Sequence, residues 1–225
     1  MATVDDEMRN AIITYLNSKS LYPTIDWLSN FLSTTRPNTP LPALKQTALF
    51  RLLASDITTS LVPSPTTVFP ADIHDANIRE RHLSRLSIPV QILDIEDLSR
   101  SRWSQVEAIE SAEKGETTKG REVIRVVPGE EGLAGESRDA LSKGQHKLLL
   151  QDAKGTQVYG FELSAVEGVN LAMSIGAKLL LTDVLVARGV VMMEPRTVTL
   201  LGGKIEALQK EWREGRKQAL KDRIT

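Results

Sequence analysis

Three carboxylates stand close together in the middle of the chain, at Asp94, Glu96 and Asp97. Residues two apart on a strand point to the same side, so Asp94 and Glu96 would present two oxygen ligands to a hard cation. A small metal-dependent nuclease is the chemistry that such a site would support. The competing interpretation is a solvated strand face followed by a turn. Because no further acidic segment of matching pattern is present, we expect no metal site here.

Other catalytic motifs are missing from the sequence. There is no cysteine, which excludes disulfides, thiolate metal sites and thiol nucleophiles, and the three histidines, His74, His82 and His146, are scattered. The chain contains neither a G-x-x-x-x-G-K-[ST] phosphate loop nor a G-x-S-x-G nucleophile motif. We therefore expect no catalytic residues, no cofactor and no small-molecule substrate.

An apolar island interrupts the most polar part of the chain. The segment REVIRVVPGEEG, residues 121–132, places four β-branched residues inside the stretch 104–146, which holds six of the 14 glycines. Four such residues cannot form a core of their own. They either add a strand to their own domain or become ordered against a partner. A polar segment of this length in a compact domain is either a functional loop or disordered.

The signals for nucleic-acid binding are few. Arg100, Arg102 and Trp103 form the best basic and aromatic cluster, and they are weak candidates. The spacing of Tyr159 and Phe161 with Leu163 predicts barrel core rather than a stacking platform. Lys and Arg number 28 against 29 Asp and Glu, a net charge of −1, so charge does not indicate a DNA-binding surface. Weak DNA binding is left open, and a dedicated high-affinity site is not expected.

The first part of the chain has the periodicity of helices. Apolar residues recur at spacings of three and four over residues 1–58, with prolines between the runs, which predicts an N-terminal three-helix bundle. A proline-rich connector follows over residues 59–86, with a short helix predicted from Ile78 to Leu86. The N-terminus resembles neither a signal peptide nor a transit peptide, and no apolar run is long enough to span a membrane. We expect a soluble intracellular protein.

The remainder, residues 87–225, has the alternation of strands. After one early strand near Val90 come two predicted hairpins, and Gly202 and Gly203 then precede a helix at about 204–223. The hairpins join Lys147–Gln151 to Val158–Leu163 and Lys178–Val186 to Val190–Met193. This order favours an α+β protein with a five-stranded OB-type barrel, a long insertion at about 104–146 after the first strand, and a C-terminal helix. Several β-sandwiches fit the periodicity as well.

The run from Leu148 to Leu208 resembles the RecQ-mediated genome instability protein 1 family. The similarity is densest in LLLQDAKG, in the step from Gly176 into KLLLTDVLVARGVVMMEP, and in VTLLGGKIEAL. It extends upstream through VQILDIEDLSRSRWSQ and the N-terminal helices with Trp27 and Leu28. The chain resembles short members that have one OB-fold.

The resemblance implies a non-catalytic nuclear subunit that binds a type IA topoisomerase III through its OB-fold. With a RecQ-type helicase, such a subunit promotes decatenation and the dissolution of double Holliday junctions, and its insertion loop reaches toward the topoisomerase gate. By this resemblance Lys178 contacts the partner, and the gate-facing residues are Val123, Ile124, Arg125, Val126, Val127 and Pro128. The alternative function is an independent single-stranded DNA-binding OB module.

Overall fold

The N-terminal unit consists of three longer helices and one short helix. The computed structural model describes residues 4–36, 39–75, 77–114, 116–119, 122–125 and 145–224. The helices are α1 (Val4–Asn17), α2 (Ile25–Ser33), α3 (Leu41–Leu53) and α4 (Ile57–Ser60). Their apolar stripes meet in one core that includes Ile12, Leu16, Leu28, Phe31 and Leu44. The sequence predicts three helices; the short α4 is added because the Asp56 carboxylate caps it by accepting the Thr58 N–H.

The connector after α4 lies against both parts of the protein. Leu61 is buried in the helical core, whereas Phe69 and Ile73 are buried in the core of the barrel. The Phe69 N–H donates to Asp152 Oδ2 at 2.8 Å, so the connector is held on the barrel by a buried carboxylate. The connector is therefore part of the folded structure.

The helix predicted over Ile78–Leu86 is wrong. These residues contain strand β1 (Glu80–His82), which pairs antiparallel with Leu185–Ala187 at one end of the main sheet. Hydrogen bonding to an available sheet edge has overridden a weak local helical pattern, as tertiary pairing commonly does for short segments.

The main sheet has eight strands. After β1 come β2 (Ser87–Asp97), β3 (Glu116–Lys119) and β4 (Glu122–Arg125), and then β5 (His146–Asp152), β6 (Gln157–Glu162), β7 (Lys178–Thr182), β8 (Leu185–Ala187), β9 (Val190–Met193) and β10 (Val198–Gly202). The sheet order is β1-β8-β9-β6-β5-β2-β7-β10, and β3 and β4 form a separate two-stranded sheet. All pairs are antiparallel except β6 with β9.

The eight strands contain a closed ring. The chain passes from β7 directly into β8 through Asp183 and Val184, so the two ends of the sheet order β8-β9-β6-β5-β2-β7 are covalently joined. The expectation of five strands treats 178–186 as one strand. The structure divides it because Asp183 adopts a left-handed conformation with φ of 51°, and β1 and β10 lie outside the ring as additional strands. Strand β10 extends the sheet beyond β7.

The barrel interior follows the alternation of the strands. In β5 the residues His146, Leu148 and Leu150 are buried, and Lys147 and Leu149 between them are partly exposed. Gly160 of β6 lies where the interior is closely packed, since a Cβ at this position would stand 2.9 Å from Leu150 Cδ1 and 2.9 Å from Met193 Sδ. The first predicted hairpin is confirmed: β5 and β6 pair antiparallel.

The insertion begins with a helix that the sequence does not predict. Residues Arg102–Glu113 form α5, which packs on the C-terminal helix α6 (Glu206–Asp222) through ion pairs of Glu110 with Lys221 and of Glu113 with Lys217. The insertion leaves and rejoins the barrel at one point, because the Leu98 N–H donates to the Gln145 carbonyl at 2.9 Å. None of the helices in the described ranges is both long and apolar enough to cross a membrane.

Candidate interaction surface

One outer face of the barrel is largely apolar. The register places Tyr159 of β6 between Leu149 of β5 and Val190 of β9, and Phe161 of β6 opposite Met192 of β9. Residues opposite one another on neighbouring strands share a side of the sheet. We refer to these five residues, Leu149, Tyr159, Phe161, Val190 and Met192, as the apolar barrel face. Tyr159 is 47% exposed and the other four are partly exposed.

The prediction that Tyr159 and Phe161 belong to the barrel core is wrong. The buried residues of β6 are Val158, Gly160 and Glu162, which alternate with the two aromatics. The apolar pattern misleads because one inward position has no side chain and another is a charged residue. Leu163, which the pattern places on the buried side with the aromatics, is 44% exposed.

The inward Glu162 is accommodated by hydrogen bonds. Its Oε2 accepts the His146 N–H at 2.8 Å and lies 2.6 Å from His146 Nδ1, and its Oε1 accepts the Val166 N–H at 3.0 Å. The side chains of Glu162 and His146 are each 1% exposed. A buried carboxylate is tolerated when its lone pairs are satisfied in this way. Strand polarity alone therefore could not indicate which side of β6 faces inward.

A network of ion pairs borders the apolar barrel face. Glu96, 3% exposed, contacts Arg102 at 2.6 Å, Lys147 at 2.9 Å and Arg223 at 3.3 Å. Burial acts to raise the pKa of Glu96, but the hydrogen bonds from Lys147 and Arg102 outweigh it and the pKa is lowered. The Lys147 Nζ also lies 5.2 Å from the centre of the Tyr159 ring, so this lysine connects the network with the apolar barrel face.

Two of the three carboxylates weighed as metal ligands are engaged in this network. Asp94 and Glu96 do share a side of β2, since Arg223 donates to both, and Asp94 also accepts the Trp212 indole N–H at 2.8 Å. Asp97 instead accepts from the Ser99 N–H and hydroxyl. Within the described ranges no group of three or more metal-binding side chains is assembled. Asp94 and Glu96 are instead paired with cationic side chains of the chain itself.

The proposed basic and aromatic cluster is divided. Arg102 is committed to Glu96 and to the Arg223 carbonyl, and the Arg100 carbonyl accepts from Gln105. Trp103, at the start of α5, is 65% exposed. An exposed indole therefore stands beside an arginine whose charge is already neutralised within the protein.

The residues of the insertion are described only in part. Val123, Ile124 and Arg125 lie in β4, whose backbone pairs with β3 of the same insertion and with no strand of the barrel among the described residues. The island therefore does contribute a strand, but this strand pairs within the insertion and does not extend the barrel sheet among the described residues. Val126, Val127 and Pro128 lie outside the described residues.

Lys178 lies inside the protein. Its side chain is buried, and its Nζ donates to the Ser55 carbonyl at 2.6 Å and to the Gly176 carbonyl at 2.8 Å. Burial lowers the pKa of Lys178 to about 8, against an opposing effect of Asp56. The lysine thus joins the N-terminal helices to the barrel instead of presenting its charge to a partner, and it does not belong to the proposed docking surface.

Two features were missed by reasoning from the sequence. The first is the outward position of Leu149, which the run KLLLQ does not reveal because three consecutive leucines show no alternation. On α6, Arg216 stacks on Trp212 with its guanidinium carbon 4.5 Å from the ring centre. This stacking is the second missed feature. It could have been predicted, because residues four apart on a helix lie next to each other.

A ring of six strand segments with one parallel pair, the long strand β2 and an apolar outer face defines an OB-type barrel. Comparison with known proteins gives the same class. A profile described as "RMI1, N-terminal OB-fold domain" matches residues 69–216, and one described as "RMI1, N-terminal helical domain" matches residues 16–60.

The chain belongs to the RecQ-mediated genome instability protein 1 family. It is 32% identical to the Schizosaccharomyces pombe protein of that name over 214 residues, which cover 88% of this chain and 85% of the relative. It is 36% identical to the Xenopus laevis protein of the same name over 73 residues, which cover 32% of this chain and 13% of the relative. The resemblance inferred from the sequence is confirmed.

Proposed function

We propose that this chain is a non-catalytic scaffold that binds a type IA topoisomerase III through its OB barrel. With a RecQ-type helicase, it promotes decatenation and double Holliday junction dissolution in the nucleus. Family membership supports a role in genome stability, and the names of the relatives refer to RecQ. The observation that carries the docking step is the apolar barrel face, because protein interfaces are enriched in exposed aromatic residues and methionine.

The chemistry of the apolar barrel face favours a protein as its occupant. Tyr159 and Phe161 provide two aromatic anchors, and Leu149, Val190 and Met192 surround them with aliphatic surface. Lys147 and Glu96 lie at one border, so a polar rim adjoins an apolar centre. This is the composition of a docking surface whose centre is desolvated on binding.

The proposal is tested by placing charges at the centre of the apolar barrel face. Tyr159→Glu and Val190→Glu together should reduce the affinity for purified topoisomerase III by about 100-fold or more, because two carboxylates would be buried without partners. The measurement is a titration by calorimetry, supported by gel filtration of the mixture. The matched control is Thr182→Glu with Thr199→Glu, at two exposed strand positions elsewhere on the sheet.

Both double variants should keep the thermal transition of the unchanged protein within a few degrees. Equal affinity of the two double variants for the topoisomerase would show that the apolar barrel face is not the docking surface. If the unchanged protein forms no complex with topoisomerase III, the proposed function itself fails.

A second candidate, single-stranded DNA binding, is favoured by one observation. Tyr159 lies on the strands that carry oligonucleotides in OB-folds, and Lys147 stands over its ring. The aliphatic neighbours offer bases no stacking, and from Lys147 to Gly203 five basic residues balance five acidic ones. A fluorescence titration with oligothymidylate should therefore detect weak binding only. Submicromolar affinity that falls steeply with salt and is lost with Tyr159→Ala would establish the DNA function instead.

A further inference from the structure

The C-terminal half of α5 is joined to α6 by two ion pairs. Glu110 contacts Lys221 at 2.7 Å. Glu113, one turn further along α5, contacts Lys217, which lies one turn earlier on α6 at 2.5 Å, so the two helices run antiparallel here. All four side chains are between 34% and 53% exposed. This contact is therefore charged and accessible to solvent.

The N-terminal half of α5 is anchored by buried groups instead. The buried residues of this helix are Gln105 and Val106. The Gln105 side-chain amide donates to the Asp97 carbonyl at 2.8 Å, and Arg102 contacts the buried Glu96 at 2.6 Å. The second half of α5 contributes no buried side chain. The two halves thus differ in how firmly the protein holds them.

Glu110 and Glu113 occupy positions that are unfavourable for an isolated helix. Both lie in the last turn of α5, where the macrodipole favours cations, and this turn has no basic residue. In the folded protein the hydrogen bond from Lys221 lowers the pKa of Glu110. The hydrogen bond to Glu113 likewise raises the pKa of Lys217. The two glutamates therefore suit the contact with α6 and not the helix that carries them.

The end of α5 determines where the hairpin of the insertion is attached. The helix has its C-cap at Lys114, and the hairpin of β3 and β4 begins at Glu116. While the two ion pairs are formed, the hairpin follows a helix end that is held on α6. Once they open, the nearest buried residue of α5 before the hairpin is Val106.

We propose that the two ion pairs are a clasp that opens under native conditions and sets how far the insertion can move from the barrel. Opening frees residues 107–114, which span about 12 Å as a helix and at most about 28 Å when extended. The barrel and the N-terminal helices stay folded, because the clasp contributes no residue to their cores. The clasp belongs to the free chain, and only its consequence for the topoisomerase gate rests on the proposed function.

The first test measures amide hydrogen exchange of the free full chain by NMR at 0.1 M and 1 M NaCl. The Debye length falls from about 10 Å to about 3 Å between these concentrations, so exposed ion pairs are weakened much more than buried contacts. We expect the amides of residues 110–114 to exchange about threefold to tenfold faster at the higher concentration. The amides of Gln105, Val106 and strand β5 should keep their rates.

The variant Glu110→Gln with Glu113→Gln should show the same acceleration at 0.1 M NaCl and lose the dependence on salt. Neutral residues at this end favour the isolated helix, so faster exchange would come from the lost contacts with α6 and not from a weaker helix. The matched control is Glu107→Gln, at an exposed position about one turn earlier in α5, which should change neither the rates nor their salt dependence.

A second measurement follows the position of the helix end. The sequence contains no cysteine, so spin labels can be placed through Ala112→Cys on α5 and Lys210→Cys on α6. The distances between the labels should be narrowly distributed at 0.1 M NaCl. They should be broadly distributed at 1 M NaCl, and at both concentrations in the doubly neutralised variant.

Exchange and distances that do not depend on salt would overturn the clasp, as would unchanged exchange in the doubly neutralised variant. Equal acceleration in strand β5 would overturn it as well, because the whole fold would then be opening. None of these outcomes requires the topoisomerase. They are therefore distinguishable from a failure of the proposed function, which would appear as the absence of a complex.

Discussion

Lys178 is a buried residue whose ammonium group donates hydrogen bonds to two backbone carbonyls instead of to water. The desolvation of this group lowers its pKa to about 8, against an unfolded value near 10.5. Between these two pH values the unfolded chain binds a proton at this residue that the folded protein has released. The free energy of unfolding should therefore increase as pH rises through this window.

The prediction for Lys178 concerns the slope of stability against pH. The contribution across the window is at most about 3.5 kcal/mol, from a difference of about 2.5 pKa units. Lys178→Met should remove this contribution, so the difference in stability between the variant and the unchanged protein should vary from pH 8 to pH 10. Urea denaturation at several pH values measures it. Parallel profiles for the two proteins would show that the lysine does not titrate in this range.

The partners of single buried or charged residues could not be predicted from the sequence. The shared side of Asp94 and Glu96 was predictable from strand periodicity, but their neutralisation by Arg223 and Lys147 was not, because these partners are distant in sequence. The inward position of Glu162 depends on His146 in the same way. Polar residues are interpreted as exposed until a structure shows which partners satisfy them.

At the scale of elements, the first hairpin is well predicted, the second is correct only for the part of its first arm at Leu185–Ala187, and the irregular segments are not predicted. The hairpin of β5 and β6 follows from alternation around a short turn. The division of 178–186 depends on the left-handed conformation of Asp183, and α5 depends on packing against α6. The apolar pattern cannot report either, because the first is the backbone conformation of one polar residue and the second depends on contacts distant in sequence.

Because α5 packs on α6, a deletion that tests the insertion should begin after α5 ends at Glu113. Replacing residues 116–144 by a short glycine-serine linker keeps α5, its contacts with α6, and the hydrogen bond from Leu98 to Gln145. We expect this variant to bind topoisomerase III with nearly unchanged affinity and to support decatenation poorly, since the proposed gate-facing residues 123–128 are removed. Decatenation of linked DNA circles by the complex is the measurement.

A glycine-serine linker of equal length in place of residues 116–144 serves as the second variant, because it separates the loss of length from the loss of the island. Decatenation equal to that of the complex with the unchanged chain would remove the insertion from the proposed mechanism. It would leave the docking through the barrel untouched.

At the scale of the whole molecule, the helical unit and the barrel are joined by buried polar contacts. The Ile57 N–H donates to Gln91 Oε1 at 3.0 Å, and the Lys178 ammonium donates to the Ser55 carbonyl. Gly203 lies directly against the carbonyl of Leu53 at the end of α3. Separation of the two units would leave these buried groups without partners, so we expect the described chain to unfold as one cooperative unit.

Two adjacent glycines allow the junction to be tested. Gly202 and Gly203 both have positive φ, of 87° and 96°, but a Cβ at Gly202 meets nothing within 4 Å, whereas one at Gly203 would overlap the Leu53 backbone. Gly202→Ala should cost about 1 kcal/mol from backbone strain alone. Gly203→Ala should cost about 1–3 kcal/mol more, because the helices must shift from the barrel. Urea denaturation measures both, and equal costs would contradict a close junction.

The hydrogen bond between Leu98 and Gln145 has a consequence for changes in the length of the insertion. It joins the two ends of the insertion at neighbouring strands, so the pairing of β2 with β5 does not depend on the number of residues between α5 and Gln145. The entropy of closing a flexible loop grows only with the logarithm of its length, and each doubling costs about 0.6 kcal/mol. We therefore expect that a change in the length of this segment alters the stability of the barrel only slightly.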